Sequence, residues 1–478
     1  MDMVIRFYNQ HPHSRYSGIY QLSVPTLVVR DPDLIKQMTV KDFDHFTDHR
    51  TFIPEESDPL WGKNLFALKG ERWREMRAIL SPSFTSSKMR FMFGLMQESA
   101  ETFVKHFLDK NEDVVTVELK DIFSRFTNDV IATTAFGIQV DSLGQPNNNF
   151  YLMGKEATDF NGFWKSMKFL GYQIFPKLYS LMKMRLFSEE VSNFFKKIIG
   201  DTIKLRKENG IIRPDMIHLL MQARKGQQIH EETGIIDTGF SVPEESDPAK
   251  SSKGNKSHGD ISDIDITAQA MIFFFASFES VSSLMCFLSY ELAVNSDVQD
   301  KLRKEIRNTL KECGGKLNYE SLLKMKYMDM VVSEGLRKWP SALALDRVCT
   351  KPYTIQPASE ERPLHLEEGT AVLFPTMGIH RDPQYYPDPE RFDPERFSDE
   401  NIGNIKPYTY FPFGLGPRSC IGSRFALLET KIIIFYVLNN FEIVPVEKSA
   451  IPVKLSKKHI TIFAEDGFWF GLKRISSA

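Results

Sequence analysis

Cys420 stands in Phe413-Gly-Leu-Gly416-Pro-Arg418-Ser-Cys420-Ile-Gly422, just ahead of a long apolar helical pattern. No other stretch restricts the architecture of the chain so much. Glycines on both sides of the cysteine let the backbone curl tightly and point amide N–H groups at the sulfur. Those donors, with the cation of Arg418 two residues earlier, favour a thiolate. An isolated cysteine beside a Gly-rich turn is ordinarily a buried structural residue. The ordered spacing of Phe, Gly, Arg, Cys and Gly separates this one from that ordinary case. A loop of this kind is what a thiolate ligand to haem iron requires, and thiolate ligation pushes electron density onto iron and favours O–O cleavage.

The rest of the sequence sets the frame around that loop. Its 478 residues contain no Pro/Gly-rich linker, so one large domain with a smaller lobe is expected over 1–478. The class expected is mostly α with minor β. Thirty-eight phenylalanines (38) suit a large core and would equally line an apolar ligand cavity. A formal charge of −2 points to no nucleic-acid partner. Four cysteines without paired spacing argue against a disulfide framework and fit a reducing compartment. The longest apolar runs, Met271–Ala276 and Ile432–Leu438, fall short of the ~20 residues of a membrane span, and no signal-peptide pattern follows Met1.

Along the chain, Gly18–Leu22 and Thr26–Arg30 predict a hairpin, and Asp31-Pro32-Asp33 a capped helix through Leu34–Met38. Leu65–Ile79 puts Trp73 and Arg77 at helical i,i+4 spacing, and Phe84 to about Lys225 reads as amphipathic helix. Gln227–Asp263 has few large apolar side chains and predicts a mobile surface loop. Helix is expected from Asp263 to Trp339, strands near Tyr353–Ile355 and Ala371–Pro375, a helix from Ile421 to about Asn439, and a β-rich tail over Ile451–Ile475.

The cysteine stretch resembles the haem-binding signature of the cytochrome P-450 monooxygenases. Further motifs follow in the family's order from about Tyr8 to about Arg474. The resemblance implies the cytochrome P-450 fold, with iron protoporphyrin IX held by Cys420 and cradled by Phe413 and Gly422. Glu334-Gly-Leu-Arg337 and the later Phe392-Asp-Pro394-Glu395-Arg396-Phe397 resemble the family's buried Glu–Arg–Arg brace of the haem loop, so Glu334, Arg337 and Arg396 are expected in a structural role. Pro389-Glu-Arg391-Phe392 is a near-copy of the second motif. The resemblance also implies that Trp73, Arg77, Arg347 and Arg418 neutralise the haem propionates, with Arg50 a weaker candidate. Phe273-Phe-Phe-Ala276-Ser277-Phe278-Glu279-Ser280 resembles the oxygen-activation segment, usually small-Gly-x-acid-Thr. Glu279 and Ser280 are then the catalytic proton relay, with Ser277 in place of glycine and Ser280 in place of threonine. Serine keeps the hydroxyl and loses the methyl that restricts its rotamer, which predicts turnover with more leakage of reducing equivalents.

The same resemblance places Phe273, Phe274, Ala276, Phe278, Ala342, Leu343 and Phe463 around a lipophilic substrate, together with Phe52 and Ile53. Val40-Lys-Asp-Phe43-Asp-His-Phe46 and Arg213-Pro-Asp-Met-Ile-His-Leu-Leu220 resemble the insect branch of the xenobiotic-metabolising enzymes, insect family nine. Plant toxins, insecticides or endogenous hydrophobic compounds are the implied substrates. Electrons would come from NADPH through NADPH-cytochrome P-450 reductase, with cytochrome b5 as an accessory, to a monomer on the cytoplasmic face of the endoplasmic reticulum membrane. Lys69, Arg72, Arg74 and Arg424 are candidates for the partner face. The aromatic and basic stretch Phe160–Phe187 is a candidate membrane contact, or alternatively a packed aromatic helix pair. Animal relatives open with a membrane anchor, whereas this sequence opens near Phe7-Tyr8, so the anchor is expected to be missing from it. Two other functions share the cysteine loop: a peroxide-rearranging isomerase or dehydratase, and a haem-dependent sensor without turnover.

Overall fold

A computed structural model describes residues 1–21, 24–51, 53–159, 163–182, 184–225, 261–358, 361–457 and 462–475. The expected loop Gln227–Asp263 falls almost entirely outside these residues, as do Phe52, Phe160 and Lys183. Helices make up most of the described chain, and one contiguous apolar core runs through them.

Nine described strands form three small sheets: β1 (Tyr16–Gln21), β2 (Val24–Val29), β3 (Val114–Glu118), β4 (Leu345–Val348), β5 (Tyr353–Ile355), β6 (Leu364–Leu366), β7 (Ala371–Phe374), β8 (Phe441–Val444) and β9 (Trp469–Arg474). The largest sheet has the order β1-β2-β7-β4. Its first pair is the expected hairpin, registered Gly18 to Leu27. Strand β2 runs parallel to β7, and β4 returns antiparallel with Arg347 opposite Val372. That register carries Arg347 into the interior, where it is 1% exposed.

Local chemistry starts and stops the helices. Asp31 caps Pro32–Lys36 through the Leu34 amide, and Ser262 and Asp265 form a reciprocal capping box ahead of Asp263–Ala276. Helix continues from Asp263 to Val294 with a widened π-turn at Ser277–Val281. This continuous helix is long and apolar enough to cross a membrane by length and composition, which corrects the reading taken from uninterrupted apolar runs. Most of it is buried against its neighbours, as befits the central core helix of a packed domain.

The expected strands at Tyr353–Ile355 and Ala371–Phe374 are present, and the helix after the cysteine runs Ser423–Asn440. Strand β3 interrupts the region read as mostly helix, because Val115 and Val117 alternate inward to pair with β9. The tail contributes one strand, β9, and an isolated bridge between Leu455 and Ala464.

Candidate functional site

The cysteine loop is built on two left-handed glycines, Gly414 (φ +82°) and Gly416 (φ +66°). A Cβ on Gly416 would lie 2.0 Å from the Thr39 carbonyl oxygen, so only glycine lets this turn close against the neighbouring segment. The Cys420 amide donates to the Phe413 carbonyl (2.8 Å), which folds the loop back on itself. Gly422 caps the helix Ser423–Asn440, and its amide points at the Cys420 sulfur. Burial pushes the Cys420 thiol up, opposed by that amide and by the Arg77 guanidinium. Although it lies this deep, Cys420 is exposed, so its side chain opens onto an interior space. Around a Cβ on Gly422 the nearest protein atoms are in ordinary contact at 3.8 Å. Neighbouring protein therefore does not demand glycine here; a flat group lying against the loop would.

Cations gather beside the same space. Trp73 and Arg77 share the buried face of the helix Gly70–Leu80, and the Arg77 Nη1 donates to the Ser419 carbonyl (2.9 Å). Arg418 lies flat over the Trp73 ring at 4.0 Å. Its Nε donates to the Thr47 carbonyl and its Nη2 to the Leu68 carbonyl (2.7 Å each), while Nη1 makes only long contacts of 3.4 and 3.5 Å. Burial together with repulsion from Arg347 and Arg77 lowers the Arg418 pKa to about 9, against which Asp48 acts only partly. Burial takes Arg347 down to about 10, and its Nε finds no hydrogen-bond partner among the described residues. Three buried guanidiniums in mutual repulsion call for an anionic ligand. Arg50 turns to Gln21 and donates its amide to Asp346 (2.7 Å), at the edge of this cluster.

Glu334 and Arg337 are both completely buried and joined by two hydrogen bonds, Nε to Oε2 at 2.6 Å and Nη2 to Oε1 at 2.8 Å. Arg396 lies 3.5 Å from Glu334 Oε1 and donates to the Asp388 carbonyl. The near-copy acts through its backbone instead, since the Pro389 and Arg391 carbonyls accept from Arg337.

On the opposite side, the π-turn sorts the side chains of the central helix. Ala276 is exposed, and Phe273, Glu279 and Ser280 are half-buried, whereas Phe274, Ser277 and Phe278 are buried. The Ser280 hydroxyl donates to the Ala276 carbonyl (2.5 Å), and the Ser341 hydroxyl donates to the Ser280 carbonyl (3.2 Å). The second bond draws the segment holding half-buried Ala342 and Leu343 up to the turn. Phe463 is half-buried against Phe468. Phe274 and Phe278 are corrections to the expected lining. At 1% and 3% exposed, they stack on each other within a cluster of Phe136, Phe150, Phe195 and Tyr151. The helix turns those two positions away from the space, and Gly154 is small because Phe274 lies across it. Ile53 is likewise fully buried core.

Two residues escaped the sequence reading. Lys120, on the helix Leu119–Ile131, pairs with Glu279 Oε2 (3.1 Å) and donates to the Ser282 and Ser283 hydroxyls (2.8 and 2.9 Å). Nothing local distinguishes it from a surface lysine. Glu429, the one acid within Ala426–Ile434, accepts from the buried Ser277 hydroxyl (3.3 Å). Of the expected partner face, Arg72 pairs with Glu55, and Arg74 with Asp44 and Glu71.

Among the described residues no cluster of His, Cys, Asp and Glu could hold a metal ion by itself. A lone cysteine held by two left-handed glycines beside a cluster of buried guanidiniums suits a haem-thiolate protein: Cys420 would be the protein's ligand to the iron, and the cations would neutralise the propionates. The cytochrome P450 family model matches residues 5–468. Cytochrome P450 9e2 of Blattella germanica is 48% identical over 98% of this chain and 87% of its own length. Probable cytochrome P450 9f2 of Drosophila melanogaster is 44% identical over 98% of this chain and 89% of its own length, and cytochrome P450 6k1 of Blattella germanica is 37% identical over 95% of this chain. The chain belongs to the cytochrome P450 family, is similar to insect family-nine members, and is a haem-thiolate monooxygenase.

Proposed function

We propose that this monooxygenase inserts one oxygen atom into lipophilic molecules, among them plant toxins, insecticides and endogenous hydrophobic compounds. The observation that carries this reading is the partly open, apolar surface of Phe273, Ala276, Ala342 and Leu343 beside the Ser280 hydroxyl, which the Ser341 bond to the Ser280 carbonyl brings together. Bound haem supplies the activation of dioxygen, and the protein supplies everything that orders it. Cys420 would be the protein's ligand to the haem iron. Trp73, Arg77, Arg347 and Arg418 would hold the propionates, and the Glu334–Arg337–Arg396 brace would keep the cysteine loop rigid.

Glu279 and Ser280 bring protons to the space, with Lys120 holding the Glu279 carboxylate in place. Ser280 has a 2.5 Å bond to the Ala276 carbonyl that competes with that delivery. Electrons arrive from NADPH through a flavoprotein reductase, with cytochrome b5 as an accessory donor. The exposed apolar side chains Leu170, Ile174, Phe175, Leu178, Leu181 and Met182 support peripheral contact with the endoplasmic reticulum membrane.

The test is a reduced carbon-monoxide difference spectrum followed by substrate-dependent NADPH consumption with reductase. The thiolate-type Soret band is expected, and it disappears in Cys420→Ala. Product formation without any requirement for NADPH would move the reading to the isomerase class. Ser280→Thr raises product per NADPH by about 1.5-fold, because threonine in a helix divides between two rotamers where serine has three. An unchanged ratio would remove Ser280 from the relay.

A further inference from the structure

One buried carboxyl has no part in the roles above. Glu429 lies on the helix Ser423–Asn440, behind the thiolate loop, with 0% exposure. Lys431, two positions on, is committed to Asp329. Among the described residues the one group that stabilises the Glu429 carboxyl is the Ser277 hydroxyl, 3.3 Å from Oε2, and Oε1 has no hydrogen-bond partner. A carboxylate in such surroundings would cost several kcal/mol, so the group keeps its proton. Ser277 is the first residue of the π-turn that carries Glu279 and Ser280. The resembling pattern has glycine at this position, which has no hydroxyl to offer, so the bond depends on this chain's own serine.

A neutral acid one hydroxyl away from the turn has two uses, proton supply and anchorage. Supply fails on physical grounds. A fully buried acid that gave up its proton would leave a charge with no cation to compensate it among the described contacts. Anchorage needs neither.

We propose that Glu429 is a positioning residue: through Ser277 it ties the widened turn of the central helix to the helix behind the thiolate loop, and so fixes the Ala276 carbonyl and the Ser280 hydroxyl that border the substrate space. This rests on the oxygen-handling role given above to Ser280, and the test separates the two. Infrared difference spectra of the purified holoprotein read the carboxyl directly. A protonated-carboxyl band at neutral pH is lost in Glu429→Gln and shifts in Ser277→Gly, which removes its hydroxyl partner.

Product per NADPH is the second readout. Ser277→Gly and Glu429→Leu lower it roughly two- to tenfold, the equilibrium weight of one hydrogen bond, whereas Glu429→Gln, whose amide still pairs with Ser277, stays near wild type. Absence of the band, its indifference to Ser277→Gly, or equal damage from Glu429→Gln and Glu429→Leu would each overturn the proposal. A wild-type ratio in Ser280→Ala alongside the expected infrared result would instead defeat the Ser280 reading and leave the Glu429–Ser277 bond standing.

Discussion

The two left-handed glycines of the cysteine loop permit a controlled experiment within one turn. In Gly414→Ala the new methyl meets nothing closer than Ser419 Cα at 3.6 Å, so the cost is that of an L-residue at φ +82°, about 1–2 kcal/mol. Gly416→Ala carries the same backbone penalty at φ +66° and also puts its Cβ 2.0 Å from the Thr39 carbonyl oxygen. That oxygen belongs to backbone on another segment and cannot swing aside as a long side chain would. Forced overpacking adds about 1–3 kcal/mol, so Gly416→Ala should exceed Gly414→Ala by that amount, roughly a five- to hundredfold difference in the population holding the native loop.

The readout is the fraction of chain that shows the thiolate-type carbon-monoxide spectrum as denaturant is raised, since displacement of Cys420 abolishes that band. Gly414→Ala should lose it slightly earlier than wild type and Gly416→Ala much earlier, or give no thiolate-type haem at all. Equal loss from the two substitutions would refute the argument that close approach to Thr39, and not φ alone, requires glycine at 416.

Other consequences follow from buried charges. Arg337→Met strands Glu334, whose pKa burial already raises, with the Asp393 amide (2.9 Å) and Arg396 (3.5 Å) as its remaining partners; the expected loss is about 3–5 kcal/mol, seen as poor recovery of holoprotein, and the double replacement Glu334→Leu/Arg337→Met should be milder than the single change. Lys120→Met removes the cation from Glu279 and the donor from two serine hydroxyls, costing about 1–3 kcal/mol and lowering product per NADPH; unchanged coupling would reduce Lys120 to a packing residue. His380 is fully buried, and burial with the adjacent Arg337 charge lowers its pKa to about 3. The unfolded chain takes up that proton near the ordinary value of about 6.5, so His380 contributes stability above that pH and loses it as pH falls towards 3, by up to about 1.4 kcal/mol per pH unit. Acid-induced haem loss should therefore be less steep across this window in His380→Gln, and an identical pH profile would exclude His380 as its source.

Features that depend on local chemistry were legible from residues alone. The Phe413–Gly422 spacing announced the thiolate loop, because a tight turn with inward-pointing amides needs glycine wherever in the fold it lies. The β1–β2 hairpin, the Asp31 cap and the helices around Trp73 and Glu334 were readable for the same reason. Strands β3, β4, β6 and β8 were missed, since each is too short, at three to five residues, to show an alternating pattern, and β3 takes its partner β9 from the far end of the chain.

The division between site and core was the work of the tertiary structure. Helical spacing could not separate Phe273 and Ala276, which stay partly open, from Phe274 and Phe278, which pack against Phe136, Phe150 and Tyr151. The π-turn and the helices crossing it decide which side chain faces which way. Long-range pairings such as Lys120 with Glu279 and Glu429 with Ser277 leave no trace in local composition. From its own residues the chain could specify the proposed ligand to iron, because a coordinating sulfur carries its requirements in its immediate neighbours. What surrounds the reacting space depends on segments brought together only by burying a shared core.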